Sequence, residues 1–146
     1  MTEQFREPYI DSLQNGWGTY VERVKRLSPQ GQADFLKKQG FARLADLLGH
    51  VIAWWEEGLA AVEKRLADPN FFSQEYDVDV FNARAVERFS HIDEATVIQT
   101  FEARRKDWIK LVESLPQTAF SDKEVLGRLH VELIGHLEEH PIPKPF

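Results

Sequence analysis

The stretch from Ser121 to about His140 carries Leu126, Leu129, Leu133, His136 and His140 at steps of 3, 4, 3 and 4. An α-helix is the regular structure that puts such a series on one face. A helix with one apolar stripe has to bury that stripe against other elements. His136 and His140 continue the stripe, so a regular helix here turns two imidazoles inward, one turn apart. That is the spacing at which one helix supplies two ligands to a single metal ion.

The rest of the chain has the same period. Residues 6–27 bring Ile10, Leu13, Trp17, Val21, Val24 and Leu27 to helical spacing, with Gly16 and Gly18 marking either close packing or a local bend. Ser28-Pro29 is a cap followed by proline at the first helical position, and predicts a short helix ended by Gly40. Residues 42–67 predict the second long helix, with Leu44, Leu48, Val51, Trp55 and Val62 in one stripe and Leu47, His50 and Trp54 beside it. Residues 71–77 have no period and read as a loop long enough to cross from one end of a bundle to the other. A third helical segment starts near residues 77–79, breaks around residues 90–93 with Asp93 as a new cap, resumes, and ends at Pro116. Ser121-Asp-Lys-Glu124 reads as a capping box for the last helix, which the proline-rich run 141–145 stops. No segment has the period of a strand. The expectation is one all-α domain over residues 1–146, a four-helix bundle with a long crossover between helices 2 and 3.

Composition narrows the function. Eighteen basic against 24 acidic residues leave a net charge of −6, which argues against a nucleic-acid partner. No apolar run is long enough for a membrane span, and the N-terminus lacks a signal-peptide pattern, so the expectation is a cytoplasmic protein. With no cysteine there is no thiolate ligand or cysteine nucleophile, and any thiol chemistry draws on a small-molecule thiol. His50, His136 and His140 are the candidate metal ligands, on two helices. If they form a site, their nitrogens converge to about 3–3.5 Å of one another. No carboxylate is clearly placed as a fourth ligand, which favours zinc or nickel over an iron-type site. His91 and His130 read as surface residues. Glu132, one turn before His136, is a candidate base or hydrogen-bond partner for that ring, although a solvated glutamate on the helix face is the expected reading. Arg104 and Arg105 interrupt the third-helix stripe. One of them is expected to turn inward toward a substrate carboxylate or a structural glutamate, the other to extend along the surface.

These residues together resemble the DinB/YfiT-like superfamily of metal-binding four-helix bundles. Leu47-Leu48-Gly49-His50-Val51-Ile52-Ala53-Trp54 is similar to its second-helix motif, in which the histidine is the first metal ligand. Asp79-Val-Phe-Asn82 with Val86, then Phe101-Glu-Ala-Arg-Arg, resembles its third-helix region, and His136-Leu-Glu-Glu-His140 matches the HxxxH of its last helix. The resemblance implies a divalent metal at one end of a bundle that is commonly a dimer. It also implies a small-molecule electrophile as substrate, attacked by a low-molecular-weight thiol in some relatives (bacillithiol and mycothiol users) or hydrolysed in another. The alternative is a stress-related binding or dimeric structural bundle that has lost its metal and is not an enzyme. A homodimer is expected on the same grounds, and because four tryptophans and ten phenylalanines exceed what one small core hides. This chain departs from the family pattern twice. Phe41-Ala42 stands where relatives carry Trp-Ser or Trp-Thr, and Pro141 follows His140 directly. Proline biases the preceding residue away from helical backbone, which puts His140 at a C-cap, off the helix axis.

Overall fold

Two helices of more than 20 residues dominate the computed structural model, which describes residues 2–143. Lys144 and Pro145 of the proline-rich tail lie outside the described residues. The helices are α1 (Thr2–Asp11), α2 (Tyr20–Lys25), α3 (Pro29–Gln39), α4 (Leu44–Ala67), α5 (Val78–Phe89), α6 (Glu94–Ser114), α7 (Lys123–Leu129) and α8 (His136–Glu139). Among the described residues there is no strand, and the all-α bundle expected from the periodicity is what forms. No helix is long and apolar enough to cross a membrane.

The caps follow local chemistry. Ser28 accepts from the Gly31 N–H at 3.0 Å and Pro29 opens α3. Gly40 closes α3 at φ 87°, a backbone that glycine adopts without a Cβ penalty. Asp93 caps α6 through the Thr96 N–H. The last helix is capped by Asp122 and not by Ser121, which belongs to a 3₁₀ turn over Gln117–Ser121. The carboxylate accepts from the N–H groups of Glu124 and Val125 and also pairs with Arg65 at 3.0 Å, partners a serine hydroxyl cannot match in charge.

Side-chain contacts fix the directions of the rods. Trp55 stacks on Phe101, and Gly58 faces Trp108, so α4 and α6 run parallel. The terminal helix returns antiparallel to α4, with Asp122 beside Arg65 and Glu132 beside Gly58. The first rod runs antiparallel to α6, from Arg6 on the carbonyls of Val112 and Leu115 to Lys25 beside Glu94. Two parallel neighbours demand a long return between them. The loop alone does not make it. α5 runs back along the first half of α4, with Asn82 at Trp54 and Phe89 at Gly49. The third helical segment is therefore two elements with different directions: α5 belongs to the crossover, and α6 is the bundle helix. Pleat-free periodicity along one chain cannot report such a reversal at residues 90–93.

The core is lined by Leu13, Trp17, Tyr20, Leu48, Trp55, Phe101, Trp108 and Leu129, all completely buried. Trp54 is buried as well, so one chain hides all four tryptophans. The tryptophan part of the aromatic excess that suggested a homodimer is thus absorbed within the bundle, while Phe5 and Phe72 remain exposed.

Candidate metal centre

The site sits where α4 begins and the terminal helix ends. His50 lies on the second turn of α4, and His136 opens α8. His140 is its C-cap, with φ −120° and ψ 54°. This non-helical backbone is the departure expected before Pro141. The His140 N–H still reaches the His136 carbonyl at 3.1 Å, and the Tyr20 hydroxyl donates to the His140 carbonyl at 2.7 Å. The end of the terminal helix is thereby pinned to α2. The two bonds replace part of what a continuing helix would supply.

All three histidines are buried, and they meet. Ring centroids are 5.4 Å apart for His50 and His136, 5.2 Å for His50 and His140, and 6.0 Å for His136 and His140. Phe41 walls the cluster, 5.5 Å from His50 and 6.3 Å from His140, so the aromatic position before α4 is put to use here by phenylalanine. Among the described residues no group of three or more His, Asp or Glu is arranged to hold a metal ion as it stands. The three expected residues are together, without forming a closed ligand set.

Each ring has a polar neighbour outside the cluster. His140 Nδ1 lies 2.8 Å from Gln39 Oε1, while its Nε2 is buried without a hydrogen-bond partner. His50 has a side-chain hydrogen bond with Asn82, whose Oδ1 also accepts from the Trp54 indole at 2.7 Å. His136 Nδ1 stands 3.2 Å from Glu132 Oε1. That pair is within ion-pair reach but not aligned as a hydrogen bond, and the same holds for Arg128 Nε at 3.0 Å from Glu132 Oε2. Burial, with His136 and His140 close by, pushes the pKa of His50 down to about 3, against a smaller upward effect from the Asn82 hydrogen bond. Burial, then His136, pushes His140 down to about 4. Both rings are neutral at pH 7, which leaves them a lone pair to donate.

Glu132 overturns the expectation of a solvated helix-face glutamate: it is 1% exposed. Gly58 explains how it enters. A Cβ on that residue would lie 2.8 Å from Glu132 Cγ and 3.0 Å from the Trp108 ring, so the missing side chain of α4 is the space the glutamate fills. Arg128, whose guanidinium lies over the Tyr76 ring, supplies the opposite charge. Arg105 does bind a structural glutamate, Glu102 at 2.7 Å, and donates to the Leu13 carbonyl. Arg104 pairs with Glu56 and Asp107. Neither arginine reaches the histidines in any described contact. His91 and His130 are exposed, as expected.

Gln39 carried no signal in the sequence, and Tyr20 was legible only as one of the apolar residues at helical spacing in residues 6–27, not as a partner of His140. A cavity of about 500 Å³ lies on the outer side of Gln39, between α3 and Pro141–Pro143, with Leu27, Phe35 and Lys38 in its wall. None of the three histidines lines it.

A family model described as the DinB superfamily matches residues 12–140. No curated protein matches the chain, and no solved structure does.

Proposed function

The chain belongs to the DinB superfamily, and from that premise we propose that it is a divalent-metal-dependent enzyme acting on a small electrophile, by thiol transfer or by hydrolysis. The observation that carries this reading is the meeting of three buried histidines from two helices, with His140 Nε2 buried and unpartnered. A buried donor nitrogen without a partner is costly unless something binds it.

The donor set suits zinc or nickel. A metal about 2.1 Å from each nitrogen stands about 3.2 Å from each ring centroid, so tetrahedral ligands have centroids about 5.2 Å apart. Two of the three pairs lie close to that value, and the His136–His140 pair is wide at 6.0 Å. A cation there supplies Lewis acidity toward a thiol or a water. The protein's part is to hold three imidazoles together, to exclude bulk water with Phe41, and to leave a position open for the substrate. A low-molecular-weight thiol fits a chain without cysteine of its own.

Zinc and nickel titrated into untagged protein test this by calorimetry. One equivalent bound by wild type, and none by His50→Ala with unchanged helix content, is the expected result. Equal binding by both proteins would show that His50 is not a ligand, and no metal bound by wild type would point to the other reading, a bundle without a metal that binds or scaffolds.

A further inference from the structure

Resting on that reading, we infer that Gln39 is a positioning residue of the centre: it fixes the tautomer of His140, so that this ring presents Nε2 to a ligand shared with the other histidines.

The argument starts from the two nitrogens of His140. Nδ1 faces Gln39 Oε1 at 2.8 Å, and an amide oxygen only accepts, so the proton sits on Nδ1. Nε2 then carries the lone pair, and this is the nitrogen that is buried with no partner. His136 has no such hydrogen bond: its Nδ1 lies 3.2 Å from the buried carboxylate of Glu132 without being aligned to it. Gln39 is placed by local chemistry at the end of α3. Gly40 turns the chain in left-handed backbone, and Phe41, which walls the cluster, bonds back to the Leu36 carbonyl at 2.9 Å. The same turn therefore delivers both the amide and the aromatic wall. His140 needs such a holder because its own backbone has left the helix. Partners of this kind orient ligating imidazoles and raise their basicity, and their loss costs about 10–100-fold in metal affinity.

Nitrogen-15 spectra of the histidine side chains in metal-free protein at neutral pH read the tautomers without any metal. His140 is expected to be Nδ1-protonated in wild type. Gln39→Ala removes the Nδ1 preference of His140 and leaves His136 as it was, whereas Gln39→Glu, which keeps an acceptor, restores it. Zinc affinity by chelator competition falls about 10–100-fold in Gln39→Ala and recovers in Gln39→Glu. Gln39 is only half buried, so the alanine variant is expected to fold, and circular dichroism checks this. His140 protonated on Nε2 in wild type, or Gln39→Ala matching wild type in both tautomer and affinity, overturns the inference. An Nδ1-protonated His140 in a wild type that takes up no metal would uphold the role of Gln39 and overturn the metal reading.

Discussion

Neutral histidines in a buried cluster make the metal-free protein sensitive to acid. In the unfolded chain His50 and His140 titrate near 6.5, and in the folded chain near 3 and 4. Between those values the unfolded chain binds more protons, so stability falls as pH falls through 6.5 toward 4. The slope is at most about 1.4 kcal/mol per pH unit for each ring. Urea unfolding of chelator-treated protein at pH 7 and pH 5 should show that loss, and His50→Gln should reduce it by about half. Gly58 gives a second test, in which two effects compete. Alanine in a helix interior ordinarily gains about 1 kcal/mol over glycine. Here the added methyl meets Glu132 Cγ at 2.8 Å and a tryptophan ring at 3.0 Å. Overpacking of that kind costs about 1–3 kcal/mol, and it displaces a carboxylate whose charge is matched inside the protein. Gly58→Ala should therefore lower the urea midpoint.

The terminal helix is distorted where its carbonyls serve other elements. Residues His130–Gly135 form a π-helical turn between α7 and α8. Within it the Glu132 carbonyl accepts from the Trp55 indole at 3.0 Å. The Leu133 carbonyl accepts from the Trp17 indole at 3.0 Å and from the Ser12 hydroxyl. Side-chain donors from the first rod and α4 stabilise the wide turn, and Ser12–Gly16 forms a π-helical turn of its own against it. Of the two meanings Gly16 and Gly18 had in the sequence, both apply. The rod departs from α-helical geometry there, and a Cβ on Gly16 would meet Leu137 Cδ2 at 2.5 Å. Phenylalanine at position 55 would leave the Glu132 carbonyl without its indole donor, at a cost of about 1–3 kcal/mol beyond any repacking. Trp17→Phe, where Ser12 remains on the Leu133 carbonyl, should cost less. Comparing the two midpoints in urea isolates the hydrogen bond, because both variants lose the same volume.

For the molecule as a whole, the proposed homodimer rests on the family and on apolar surface at Phe72, Val78, Val80 and Val86, since the tryptophans are all internal. Light scattering at micromolar concentration is expected to give twice the chain mass of 17.0 kDa, and a clean monomer would refute the dimer. A charge of −6 on each chain opposes non-specific association with nucleic acid.

Hydrophobic period and caps were enough to determine the helices, their approximate ends and the inward face of His50, His136 and His140. Each of these is local information: it says which side of its own helix a residue occupies. Pro141 was equally readable, because a proline acts on the residue directly before it. The burial of Glu132 was not. It depends on a gap in α4 at Gly58 and a counter-charge from Arg128, and only packed neighbours bring these to the same place. The reversal of α5 and the hold of Gln39 on His140 have the same origin. They are contacts between residues 101 positions apart in one case and between antiparallel neighbours in the other, and no period along the chain encodes which partner a face will meet.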